Sequence, residues 1–173
     1  MSQSYSGSLS LSRKVLRVLI KLNLLMGVLI LALLTASLVA EDFVMRALGV
    51  HDGHASTMVM GMRVIMVIGI LAVPLTNVIL TRLLAMVETV SVGDPFVVEN
   101  AARLQTIAWS VLGLELMHLV VGAVARIASS EAHPLDLNWS FSVTRWLVVL
   151  LCFVLARVFE QGALMRDDLQ GTV

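Results

Sequence analysis

The chain is short of charge, with Asp, Glu, Lys and Arg together at 14%, short of aromatics at 5%, and it holds a single cysteine and three prolines. One cysteine excludes an internal disulfide. Cys152 lies inside an apolar run, where it reads as a small core hydrophobe. Lys plus Arg equals Asp plus Glu, for a net charge of +0, so no broad basic surface points to direct nucleic-acid binding. No nucleophile constellation, phosphate-cradling glycine loop or dinucleotide fingerprint is present. An enzyme is therefore not expected, and neither is a cofactor.

What fills the space is hydrocarbon. Of 173 residues, 58% are hydrophobic and the mean hydropathy is +0.93, too apolar for an ordinary soluble domain. A spanning helix needs about 20 residues at 1.5 Å each to cross roughly 30 Å of lipid chain. Four apolar runs of that length are bracketed by charges: Lys21 to Glu41, Arg63 to Arg82, Arg103 to Arg126 and Arg145 to Arg166. By helical rise they measure roughly 30, 28, 34 and 31 Å, each one bilayer core. The expected fold is an all-α membrane protein, four transmembrane helices in an up-down bundle, with spans at about 18–41, 58–87, 101–127 and 143–165. Residues 1–12, rich in Ser, are expected as a disordered tail, and residues 13–173 as the four-helix domain.

Charge asymmetry gives an orientation. Eight cations (Arg13, Lys14, Arg17, Lys21, Arg82, Arg103, Arg157 and Arg166) fall on the side of the termini, against Arg46, Arg63, Arg126 and Arg145 on the other. The positive-inside rule then predicts both termini in the cytoplasm, with localisation to a bacterial inner membrane. Trp139, Phe141 and Trp146 belong to the outer edge of the last span. The basic start followed by an apolar segment superficially resembles a secretory leader. The run from Leu22 to Ala40 is too long for one, and it reads as an uncleaved anchor.

Loops near 42–57, 88–100 and 129–142 are too short to hold a folded domain. Gly93-Asp94-Pro95 reads as a turn, a capping carboxylate and a proline in the first helical turn, opening the third helix. Pro74 falls where it would kink the second. In the third span, Ala101, Leu104, Ala108, Val111, Glu115, His118, Gly122 and Ala125 follow one 3,4 spacing, a stripe expected to face the bundle. Ala32, Ala36 and Ala40 offer a small-residue surface on the first span.

Few ionisable groups remain inside the brackets: Glu115, His118, Arg157 and Glu160. Each is costly in lipid and needs a partner. Counted from the charges that end their spans, Glu115 and Arg157 fall at similar depths, so the sequence predicts a buried Glu115–Arg157 pair, with Glu160 as the local competitor for Arg157. Glu115 with His118 is also the candidate ligand site for a quinone, lipid or haem, although a structural ion pair with a hydrogen-bonded histidine explains them as well. His51 and His54, with His133 or Asp136, form a weak candidate metal set, lacking cysteine or a helical His-x-x-x-His pair.

Two segments carry a resemblance. Gly93-Asp94-Pro95-Phe96-Val97-Val98-Glu99-Asn100 with Arg103-Leu104, and the tail Phe159-Glu160-Gln161-Gly162 with Leu164, Asp167-Asp168-Leu169 and Thr172-Val173, resemble the bacterial membrane family called domain of unknown function 2975. The resemblance implies a four-span inner-membrane protein without assigned activity, often encoded beside a small Cro-like helix-turn-helix regulator, and no catalytic residues. The expected function is accordingly a non-enzymatic membrane partner or sensor presenting Asp94, Phe96, Glu99, Asn100, Arg103, Asp167 and Asp168 to a soluble regulator. The alternative is an intramembrane binder of a lipophilic molecule around Glu115 and His118. The lipid bilayer is the expected partner, and association into a homo-oligomer stays open.

Overall fold

The computed structural model describes residues 2–40, 55–91, 97–128 and 142–170. They form four helices: α1 (Ser2–Val39), α2 (Ala55–Ser91), α3 (Val98–Ala128) and α4 (Val143–Gln170). All four are long and apolar enough to cross a bilayer. The molecule is a multi-pass membrane protein with an up-down four-helix bundle. α1 begins at Ser2, so the Ser-rich start expected as a disordered tail continues the first helix instead.

Among the described helices, backbones approach one another only in chain order, α1 on α2, α2 on α3 and α3 on α4. Among the described residues no contact of α1 with α4 closes the ring, so the bundle is an open row. Its outer helices expose Leu22, Leu25, Leu29, Leu147, Leu150 and Leu151, side chains that only lipid can solvate cheaply.

Each helix turns a 3,4-spaced stripe to its neighbour. On α1 the stripe runs through Leu16, Ile20, Asn23, Gly27, Ile30, Leu34 and Ser37, while Ala32 and Ala36 are exposed. The small-residue surface expected on this helix is not its packing face. Asn23 Nδ2 donates to the carbonyl of Val73 (3.0 Å), just before Pro74, and Arg63 Nε donates to Ser37 Oγ (3.1 Å). Arg63 also donates to the Ser37 carbonyl, one of the last four of α1, which has no partner within the helix.

The stripe expected on the third span holds. Ala101, Leu104, Ala108, Glu115, Gly122 and Ala125 are all buried in α3. Leu104 and Ile107 meet Ala156 of α4, and Ile79, Leu83 and Met86 of α2 pack against them. At the other end of the α2–α3 contact, a Cβ on Gly61 would collide with the Ala128 methyl, so this close approach requires glycine.

Candidate functional site

Register decides which polar residues can meet. The α2–α3 contact pairs Gly61 with Ala128, Gly113 with Leu75 and Asn100 with Thr89. The α3–α4 contact pairs Trp109 with Phe153, whose rings sit edge-on at 5.1 Å, and Glu115 with Arg145. On α1, Ser37 lies beside Arg63 and Gly27 beside Val73. These registers bring Arg17, Lys21, Arg82, Arg103 and Arg157 to within about a turn or so of one level, and Arg63 and Arg126 to another. Two charged belts therefore bound the apolar band. The first lies at the end that holds both chain termini and the α2–α3 connection, called here the terminal end.

Glu115 lies about 18 Å above Arg103 and about 16 Å below Arg126, close to half-way between the belts. Its partner there is Arg145: Nε stands 3.6 Å from Glu115 Oε1, an ion pair wider than a hydrogen bond. Arg145 Nη1 lies 2.7 Å from His118 Nε2. An arginine only donates, so Nε2 accepts and the ring proton sits on Nδ1. Carboxylate, guanidinium and neutral imidazole make a triad with no net charge, the arrangement that lowers the cost of ions in lipid. Glu115 is 7% exposed, so little other than Arg145 can compensate its charge.

The Glu115–Arg157 pair predicted from the sequence is not formed. Arg157 donates to Glu160 Oε2 (2.7 Å) one turn along its own helix, and both side chains are exposed. The expectation failed because it took Arg103 and Arg166 as markers of one depth. α4 runs on past its apolar stretch to Gln170, which puts Arg166 about two turns beyond the level of Arg103. Arg157 is thereby a belt residue, and Arg145, expected at the rim, is the intramembrane cation. A signal for this was present in the sequence. Arg145, Val149, Cys152, Ala156, Phe159 and Ala163 share one 3,4 stripe, all at least half-buried, and Arg157 lies off it.

A second polar knot ties α2 to α3 at the terminal end. Asn100 is 1% exposed. Its Nδ2 donates to Thr89 Oγ1 (2.8 Å), which donates in turn to the Met86 carbonyl (2.8 Å), and Arg103 Nη1 donates to Asn100 Oδ1 (2.8 Å). Both ends of the amide are used, as burial requires. Asn100, expected to contact a partner, is instead an internal clamp, and Arg103 is half-buried beside it. Of the other expected contact residues, Glu99 is exposed in the first turn of α3. Asp94 and Phe96 lie outside the described residues, as does the helix start expected at Gly93-Asp94-Pro95. The first bond of α3 described is Asn100 N–H to the Val97 carbonyl (2.9 Å). Asp167 and Asp168 belong to the last turn of α4.

Among the described residues no three of His, Cys, Asp and Glu gather as a metal site. His51, His54, His133 and Asp136 fall outside them. At His118 the Nε2 lone pair, which a haem iron would need, is occupied by Arg145.

Neither a curated protein nor a solved structure matches this chain. The motif segments around Asn100 and Phe159 have a match of another kind. The model of the family described as "Protein of unknown function (DUF2975)" covers residues 35–173, and the chain belongs to that family.

Proposed function

We propose that this is a non-enzymatic inner-membrane partner or sensor that keeps both termini in the cytoplasm and offers its terminal end to a soluble regulator. One observation carries the reading. Phe159 of α4 packs against the cluster formed by Leu104 and Ile107 of α3 with Ala156 of α4, so the two family-motif segments lie at one end and adjoin one packed unit. The Asn100 clamp would set the geometry of that surface, and Glu99 with Phe96 and the last turn of α4 would make the contacts. The orientation is supported by charge. With Arg145 at half-depth, the opposite side keeps Arg46, Arg63 and Arg126 against eight cations at the terminal side.

The resemblance implies a small helix-turn-helix regulator as the partner, and that class of protein is the probe. Purification in mild detergent, with co-purifying proteins identified, is expected to recover one, and Glu99→Arg or Phe96→Ala is expected to lose it. Recovery unchanged by both substitutions sinks the reading.

The second reading, a lipophilic ligand at Glu115 and His118, is favoured by the half-depth position of the triad. Its readout is the visible spectrum of the same preparation. A Soret band would reverse the ranking, because a haem must displace Arg145 from Nε2.

A further inference from the structure

Nearer the terminal end than the triad, small side chains leave a cleft between α3 and α4. Buried Ala101 and Ala156 line, with Phe153, a cleft of about 280 Å³ whose exposed rim is Gln105, Arg157 and Glu160. A groove of about 480 Å³ shares Gln105 and leads deeper, past Trp109 toward Leu75 of α2. The cleft opens on the lipid-facing side of the row, and its charged rim lies on the belt of Arg103 and Arg82.

We propose that this cleft binds a phospholipid with a phosphoethanolamine head from the leaflet at the terminal end. The phosphate would sit on Arg157, the ammonium on Glu160, and an acyl chain along Trp109. The order of the two charges is the argument. Arg157 is three residues closer to the bilayer centre, so Glu160 stands about 4.5 Å farther out. In a phosphoethanolamine head the anion is attached on the glycerol side and the cation lies two carbons farther toward water. A cation set deep and an anion set shallow are the complement of a zwitterionic head in that order, which a choline head shares and an anionic glycerol head does not. An anionic glycerol head would bring a phosphate past Glu160 with no cation to offer it. A choline head presents methyl groups where Glu160 needs N–H donors.

The two side chains meet at 2.7 Å. Arg157 is 71% and Glu160 49% exposed, and a pair so open to its surroundings is weak and readily exchanged for a ligand. The apolar part has a matching place. Between the cleft and half-depth lie Trp109 and Phe153, rings meeting edge-on, and the exposed Trp109 offers an apolar surface for a chain to lie along. The inference rests on the membrane reading alone and is independent of any soluble partner.

Native mass spectrometry of the full chain in mild detergent, titrated separately with phosphatidylethanolamine, phosphatidylcholine and phosphatidylglycerol, tests it. Phosphatidylethanolamine is expected to be retained about tenfold more tightly than either of the others, a difference of about 1.4 kcal/mol. Glu160→Gln is expected to remove the preference over phosphatidylcholine. The double variant Arg157→Glu with Glu160→Arg keeps an i,i+3 ion pair on the helix but reverses the order of charge, and is expected to abolish the preference with thermal stability unchanged. Equal retention of the three lipids overturns the proposal. So does a preference for phosphatidylglycerol, which would mean a bare cationic site, or a preference that survives charge reversal.

Discussion

α3 is held by two polar knots that solve the same problem differently. Toward α2, at the terminal end, the knot is centred on the neutral amide of Asn100, with Thr89 and one guanidinium completing it. Toward α4, half-way up, it is Glu115, Arg145 and His118, two full charges and a ring. The difference lies in what can replace a lost partner. Near the charged belt, water and neighbouring cations are at hand. At half-depth nothing is, and a stranded charge must either neutralise or pull the helices apart.

The largest expected effect therefore comes from Arg145→Leu, which leaves Glu115 buried and alone. It should cost about 3–5 kcal/mol, seen as a lowered melting temperature in detergent and loss of a monodisperse species. The double variant Glu115→Leu with Arg145→Leu should recover much of that. If the single and double variants lose the same stability, the ion pair is not what holds α4 to α3.

Asn100→Leu, which keeps the branching and number of side-chain heavy atoms but cannot hydrogen-bond, tests the other knot. It leaves the Thr89 hydroxyl and an Arg103 donor to find new partners, at about 1–3 kcal/mol, toward the low end because solvent is near. A loss equal to that of Arg145→Leu would erase the distinction between the two depths. The smallest effect belongs to Arg157→Gln. An exposed i,i+3 pair is worth about 0.2–0.5 kcal/mol, so melting should hardly move. A collapse of the protein on this substitution would restore Arg157 to the interior where the sequence reading put it.

The failure over Arg157 shows how far sequence arithmetic reaches. Arithmetic along one helix was sound: Arg103 and Glu115 share the single helix Val98–Ala128, and the buried stripe from Ala101 to Ala125 is the one its spacing predicts. Distances between helices were not, because they assumed that each bracket of charges began at the same height. Arg145 and Arg157 look alike as arginines near apolar runs. Only the stripe shared with Ala156 and Ala163 separates them, and that stripe has to be weighed above the bracket. Asn100 was likewise visible as part of a motif, but its burial needed Thr89 of the neighbouring helix to be in place.

The sequence by itself determined that this chain makes four membrane-length helices and which face of α3 turns inward. Both follow from local quantities, the length of apolar runs and a 3.6-residue period. The tertiary structure alone decided that the row stays open, that Glu115 meets Arg145, and that Arg157 is left at the belt with Glu160. Those outcomes depend on the relative slide of α3 and α4. Small side chains such as Ala101, Ala108, Ala156 and Ala163 set that slide by how closely they let the backbones approach, and such a relation between two segments is written in neither one alone.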